Sequence, residues 1–327
     1  MASIPSMRRI AVLTGGGDAP GMNPAIRAVV RTAAAAGVEV YGIRQAYTGL
    51  LAGDFERLTS RDVSGIIGRG GTILQTARNQ EFMTIQGQKR GLRRLNEHGI
   101  EGLIVIGGDG SLRGALALHN LGFPVIGVPG TIDNDIWGTN MAIGTDTALN
   151  TILDAIDKLR DTAASHERCF LLEVMGRNCG YLALMGGILG GAEFVMIPEH
   201  PTTLEAIGKV LENAYMKGKS HAMGVIAEGA TPKIHEVAEY LQQHEIGFEV
   251  RVTVLGHVVR GGSPSAFDRL LATRLGVKAV ELLLAGERGV MVGLHGREIG
   301  TVSLEDATTK QRSVSEEYIQ MAEILAR

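Results

Sequence analysis

LIVIGGDGSLRGALALHNLGFPVIGV, residues 103–128, decides the fold. Residues 103–106 are four apolar side chains in a row, the pattern of a strand buried on both faces. Glycines 107, 108 and 110 make a turn, residues 112–121 carry a helical pattern, and residues 125–128 are apolar again. The alternation recurs along the chain. Residues 10–14 precede a helical stretch at 24–36, and residues 169–174, 223–227 and 252–255 are further short apolar runs. Short strands of this kind between helices predict an α/β fold with a mainly parallel sheet covered on both sides. No heptad, solenoid-length repeat or low-complexity segment interrupts it. No Pro- or Ser-rich linker divides the chain, and the irregular segment 130–145 is the best candidate boundary.

Composition narrows the class. The 327 residues suffice for about two domains. With 45% apolar and 20% charged residues the chain reads as an ordinary globular protein. Glycine, 45 residues, is about twice its ordinary share without a collagen period, which predicts many tight turns and close backbone approaches. A net charge of -3 and 4% aromatics argue against nucleic-acid partners. No apolar run is long enough to span a membrane, and the N-terminal run at 10–13 is too short for a signal peptide. Cys169 and Cys179 fit no C-x-x-C pattern and read as two buried thiols in a reducing cytoplasm.

Ligands of open α/β sheets bind outside the carboxyl ends of the strands. Three loops there carry carboxylates and glycines. GGGDAPGMNPAIR, residues 15–27, offers Asn23 as an N-cap and Pro24 as a first helical residue. It lacks the spacing of a dinucleotide fingerprint or a phosphate-binding P-loop. GGDGS, residues 107–111, lets phosphate approach the backbone, offers Asp109 as a hard ligand for Mg2+, and offers Ser111 as a helix cap. PGTIDND, residues 129–135, places Asp133 and Asp135 two apart, on one side of an extended backbone, where one can act as base and the other support a metal. Met175, Gly176, Arg177, Glu228, His257 and Arg260 follow later strands, and Arg168 and Arg251 flank them. Arginine binds phosphate bidentately, so this set suits a metal-bound phosphate ligand. Arg27 and Arg31 lie four apart on one helix and suggest a second anion site.

In order, GGDAPGMN, RGGT, GGDGS, PGTIDND, EVMGR and VLGHVVRGGSP resemble the bacterial type of ATP-dependent 6-phosphofructokinase, from residue 7 to about residue 293. The resemblance implies two Rossmann-like three-layer domains with the chain crossing between them. Residues 7–144 with 259–309 would form a larger ATP- and Mg2+-binding domain. Residues 145–258 with 310–327 would form a smaller sugar-phosphate domain. The implied reaction is phosphorylation of fructose 6-phosphate at C1, the committed step of glycolysis, in the cytoplasm. Gly17, Arg78, Asn79 and Gly108, Asp109, Gly110 and Ser111 would contact ATP. Asp109 would bind Mg2+ with Asp135 close by. Asp133 would be the general base, and Thr131 and Arg177 would stabilise the transferring phosphoryl group. Met175, Gly176, Arg177, Glu228, His257 and Arg260 would hold the sugar phosphate, with Arg168 and Arg251 reaching it from a neighbour in a homotetramer. Arg27, Arg31, Arg160, Glu193, Lys217 and Lys219 match an effector site for ADP or phosphoenolpyruvate.

Two glycines bear on the phosphoryl donor. Family members that use pyrophosphate resemble GGDD and PKTIDND, whereas this chain has Gly110 and Gly130. A carboxylate at 110 would repel the α-phosphate, and a lysine at 130 would favour pyrophosphate, so both glycines favour ATP. A pyrophosphate-dependent enzyme and a catalytically silent sugar-phosphate sensor are the alternatives. The sensor would be expected to lack Asp133 or Arg177. A NAD kinase-like enzyme would leave PGTIDND, MGR and HVVRGGSP unexplained. QTAR (residues 75–78) departs from the family's GSAR or GTSR. Asp54 replaces a family arginine and Gly65 a family aspartate at the effector site, which predicts weak or altered allosteric control.

Overall fold

The apolar runs become strands whose two faces are both covered. In the computed structural model, which describes residues 7–244 and 246–326, the chain divides into two units. One comprises the chain up to Ile132, Ile136–Thr147 and Arg260–Arg312. The other comprises Asp133–Asp135, Ala148–Val259 and the chain from Ser313 onward.

The first unit is built on β1 (Arg9–Gly15), β2 (Glu39–Ile43), β3 (Phe55–Leu58), β4 (Gly102–Gly107), β5 (Val125–Thr131) and β6 (Ile143–Gly144). The second contains β7 (Arg168–Val174), β8 (Phe194–Met196), β9 (Ala222–Ala227) and β10 (Glu249–Val254). The chain then returns to the first unit for β11 (Val290–His295) and β12 (Glu298–Ser303). The first sheet runs β12-β11-β5-β4-β1-β2-β3, with β6 beside β5. It is parallel except at its margins, where β3 and β12 are antiparallel to their neighbours. The second sheet, β10-β7-β9-β8, is parallel throughout.

Every residue of β4, β5 and β9 is buried, as parallel strands sandwiched by helices require. Leu13, Leu50, Leu103, Val105 and Leu112 centre one core. Leu171, Ile207, Leu211, Ile226 and Val237 centre the other. Each such side chain contributes about 1.5–3 kcal/mol by leaving water.

The strand order of the first sheet reverses at β1. Its sequence successor β2 lies on one side and β4 on the other. The carboxyl ends of β1 and β4 therefore flank a topological switch point, where a ligand crevice forms. A buried carboxylate fixes the chain nearby. Asp268 is fully buried and accepts hydrogen bonds from Gly144 N–H at 2.9 Å, Thr147 N–H at 2.8 Å and Thr147 Oγ1 at 2.6 Å. Burial pushes its carboxyl above the usual range despite these donors.

Two local expectations fail. The first helix begins at Met22, not Pro24, with Gly21 in the left-handed region as its unassisted cap. Asn23 is inside that helix and buried. Its amide donates to the carbonyls of Arg69 and Gly70, and its oxygen accepts from Ile73 N–H at 2.8 Å. Its side chain thus staples the 69–73 loop to the helix instead of capping it.

Candidate active site

In the first unit, Gly15 and Gly107 are register partners at the ends of β1 and β4. A Cβ on Gly107 would lie 2.5 Å from the Gly15 carbonyl oxygen and 2.7 Å from Ser111 Cβ. The two turns touch backbone to backbone, which only glycine allows. The helix Asp109–Asn120 begins here with Gly108 as an extended N-cap and no side-chain cap. Ser111, expected to cap it, is the third residue of the helix, buried against Gly15. The Tyr47 hydroxyl donates to the Ser111 carbonyl at 2.6 Å, and burial pushes that phenol far above its ordinary range. The helix's first N–H groups lack a side-chain cap and suit an anion.

Asp109 stands on this first turn, half-exposed, and pairs with Arg113 at 2.9 Å. Gly110 faces open space: an added Cβ would meet nothing within 4 Å. Gly130 leaves room for a Cβ 3.4 Å from Ile106 and Met22 side chains. Packing therefore requires glycine at neither position. Thr131 ends β5 and is buried, its carbonyl accepting from Thr145 Oγ1 at 3.1 Å. Gly17 lies under Arg260, whose guanidinium donates to the Asp18 carbonyl at 3.3 Å. Arg260 thus leans on the β1 loop of its own unit. Arg78 is exposed, while Asn79 accepts from Phe82 N–H at 2.9 Å and donates to Thr48 Oγ1 at 3.3 Å.

In the second unit, three strand ends converge. Met175–Arg177 follows β7, Glu228 follows β9 and His257 follows β10. Backbone bonds lock the first two together: Glu228 N–H donates to the Val174 carbonyl and Gly229 N–H to the Gly176 carbonyl. Glu199 accepts from Gly180 N–H at 2.9 Å and anchors the far end of the loop. Lys233 Nζ donates to the Glu228 carbonyl at 2.8 Å. Glu199 and Lys233 are supporting residues that no motif announces. Arg177 and His257 are exposed, while Glu228 is partly buried. Glu173 sits at the end of β7, and burial and then the Glu228 charge push its carboxyl above the usual range, against the pull of His235 and Lys233.

Asp133 and Asp135 belong to this unit. They are not in extended backbone as expected, because Asn134 between them has φ 52° and bends the chain. Asparagine tolerates that left-handed region better than most residues. Burial is the main cause that pushes the Cys179 thiol up to about 12, and the Glu199, Asp135 and Asp133 carboxylates add to it. The two aspartates therefore lie within electrostatic reach of the Met175–Gly180 loop. Cys169 and Cys179 are both buried free thiols.

Arg168 and Arg251 do not join the convergent set. Arg168 opens β7, six residues before Val174, or roughly 20 Å along the strand. Arg251 lies opposite Phe170 near the same amino end. Both guanidiniums pair with Glu249.

Of the effector set, Arg27 and Arg31 share the helix Met22–Ala35. Arg160 donates to the Gly190 and Gly191 carbonyls. Glu193 accepts from Lys219 Nζ at 3.0 Å and Met223 N–H at 2.6 Å. A pocket of about 480 Å³ opens beside Glu193, Lys217 and Lys219 and is walled by Leu184, Ile319 and Leu325. Asp54 is exposed, and Gly65, at φ 73°, has open space around it. No helix among the described residues is long and apolar enough to cross a membrane.

Residues 9–283 match the phosphofructokinase family. The ATP-dependent 6-phosphofructokinase 1 of Thermus thermophilus is 52% identical over 326 residues, covering 98% of this chain and 100% of that protein. The ATP-dependent 6-phosphofructokinase of Halalkalibacterium halodurans is also 52% identical, over 320 residues, with the same coverage. Among solved structures, Pichia pastoris phosphofructokinase in the T-state superposes with TM-score 0.88 at 38% identity, covering 94% of this chain and 36% of that longer chain. A pyrophosphate-dependent phosphofructokinase from Marinobacter aquaeolei superposes with TM-score 0.84 at 21% identity, a likeness of fold alone.

Proposed function

The chain belongs to the phosphofructokinase family, and from that premise we infer that it transfers the γ-phosphoryl group of ATP to the C1 hydroxyl of fructose 6-phosphate. The observation that carries this reading is end-to-end identity of 52% with ATP-dependent enzymes. The glycines at 110 and 130, which packing does not demand, agree with ATP as donor.

Phosphoryl transfer asks a protein mainly for positioning and charge neutralisation. Asp133 takes the proton of the C1 hydroxyl as that oxygen attacks. Its carboxylate lies within electrostatic reach of the buried Cys179 thiol in the Met175–Gly180 loop. Arg177 and Thr131 supply donors to the equatorial oxygens of the group in flight. Met175, Gly176, Glu228, His257 and Arg260 orient the sugar phosphate. Gly17, Arg78, Asn79, Gly108, Gly110 and Ser111 surround the nucleotide, whose phosphates approach uncapped N–H groups at the start of Asp109–Asn120.

Mg2+ fits Asp109. The residue offers a hard, half-exposed carboxylate on the same first turn, and Mg2+ is commonly held by one or two carboxylates plus substrate phosphates. Asp135 is the second carboxylate we assign to it. The ion, when bound, neutralises phosphate charge.

We assign Arg168 and Arg251 to the sugar phosphate of a neighbouring subunit. Their position in the amino-terminal halves of β7 and β10 supports this, because Met175–Arg177 and Glu228 stand at the opposite ends of their strands. We propose a homotetramer in the cytoplasm as the assembly that brings these arginines to a neighbour's site. Arg27, Arg31, Arg160, Glu193, Lys217 and Lys219 form a weakened site for ADP or phosphoenolpyruvate, with Asp54 and Gly65 as its departures.

Initial rates with fructose 6-phosphate and Mg2+, with ATP and pyrophosphate in parallel, test the reading. Turnover with ATP alone is expected. Asp133→Asn should lower kcat by roughly 10²–10⁴-fold, the usual worth of a general base. Turnover with pyrophosphate alone would overturn the donor, and an unimpaired Asp133→Asn would overturn the base.

A further inference from the structure

Arg168 and Arg251 are held by one carboxylate. The register of β7 and β10 sets Arg168 opposite Glu249. Glu249 and Arg251 are two apart on β10 and so share a face of the sheet. Glu249 Oε2 accepts from Arg168 Nε at 2.6 Å, and its Oε1 pairs with the Arg251 guanidinium. Each carboxylate oxygen is thus occupied by a different arginine. The triad carries two positive charges and one negative charge, and its negative member is 48% exposed.

We propose that Glu249 is an internal competitor for the sugar-phosphate anion, setting affinity by occupying Arg168 and Arg251 until a phosphate monoester displaces it. This rests on the reading that the two arginines bind fructose 6-phosphate. A carboxylate offers two oxygens and one charge. A phosphate monoester carries about 1.5–2 charges at neutral pH and three acceptor oxygens, so it can engage both guanidinium forks and outcompete Glu249. An uncharged sugar has no such lever. Glu249 therefore selects against weak anions as well as lowering affinity for the right one. The Arg168 hydrogen bond, followed by the charges of Arg168, Arg251 and His166, holds the Glu249 carboxyl below its usual range.

The test is fructose 6-phosphate saturation of the full-length enzyme at fixed ATP and Mg2+. Glu249→Gln keeps the shape and removes the charge. Its half-saturating concentration should fall by roughly five- to tenfold, the Coulomb effect of one charge about 6 Å from a phosphate in a watery site. The effect should shrink as salt rises and should appear in half-saturation rather than kcat. Glu249→Asp, one methylene short of spanning both arginines, should give a smaller fall and decides the matter if the glutamine variant does not fold. An unchanged or raised half-saturation in these variants would overturn the proposal. Arg168→Gln and Arg251→Gln separate the two levels. Both should raise half-saturation. If they do and Glu249→Gln has no effect, only the competitor fails; if neither changes it, the assignment of the arginines fails and the competitor with it.

Discussion

Replacing Gly107 with alanine adds one methyl group where the turns after β1 and β4 meet backbone to backbone. That carbon would stand 2.5 Å from the Gly15 carbonyl oxygen and 2.7 Å from Ser111 Cβ. The first obstacle is backbone, so no side-chain rotation relieves it. Restoring ordinary contact requires the ends of β1 and β4 to part by roughly half an ångström or more. Overpacking of this kind costs about 1–3 kcal/mol. At about 2–4 °C per kcal/mol for a chain of this size, the melting temperature should fall by roughly 2–12 °C. The kinetic effect should be larger in proportion, because the same displacement moves the start of Asp109–Asn120, which bears Asp109. A misplacement of 1 Å can cost about 10²-fold in rate, so a loss of roughly tenfold in kcat/KM for ATP is expected here. Gly110→Ala is the control on the same loop. Its methyl enters open space on a helix, where alanine is favoured over glycine by about 0.8–1 kcal/mol. Thermal melts and ATP saturation curves of the two variants decide the question. If Gly107→Ala melts like Gly110→Ala and turns over like the parent, the backbone contact does not constrain the loops and the reasoning is wrong.

Three further outcomes are expected. Gly110→Asp, whose side chain enters open space, should fold normally and raise the half-saturating ATP concentration by roughly tenfold or more through charge repulsion; unchanged ATP saturation would remove the donor argument. Asp268→Ala leaves three donors without their acceptor in a buried site, at about 1–3 kcal/mol each, so denaturant melts should show a loss of roughly 3 kcal/mol or more, and a loss below about 1 kcal/mol would contradict the network. For Glu173 the folded state raises the carboxyl's pKa, chiefly by desolvation and next by Glu228. A raised acid favours folding only while neutral, so its contribution is present below the unfolded value and is lost as pH climbs through the folded one. Glu173→Gln should therefore raise the melting temperature relative to the parent at pH 7.5, with the advantage vanishing near pH 4; an advantage that grows on acidification would reverse the assignment.

The sequence revealed those parts of the fold whose physics is local. β1, β4, β5, β7 and β9 are covered on both faces, so their apolar runs stand out. β10 reads as residues 252–255 but begins at Glu249, because Glu249 and Arg251 are exposed on a sheet-edge strand and break the run. β8 is three residues long and β2 holds a glycine and a glutamate, so neither has a run to read. Asn23 and Ser111 suggested caps because their residue types favour them. Tertiary partners claimed both: the 69–73 loop took Asn23, and Gly15 took Ser111. The bend at Asn134 was hidden for a similar reason, since an aspartate-rich segment fits several turn geometries. Glu249 was the least legible. Its role depends on strand pairing between residues 81 positions apart, which no local pattern encodes.

The first unit takes β11, β12 and the helix Ala266–Leu284 from the far end of the chain. On the ribosome, β5 therefore emerges long before β11, the strand that will cover its edge. At about 5–20 residues per second, that edge waits roughly 8–30 s for its partner. Throughout that interval the nascent sheet leaves the β11-facing edge of β5 uncovered around Ile126 and Gly127, a ready template for a neighbouring chain on the same polysome. Late-made segments thus govern the yield of this protein, and a stop codon placed after residue 260 should give aggregates rather than a nucleotide-binding fragment.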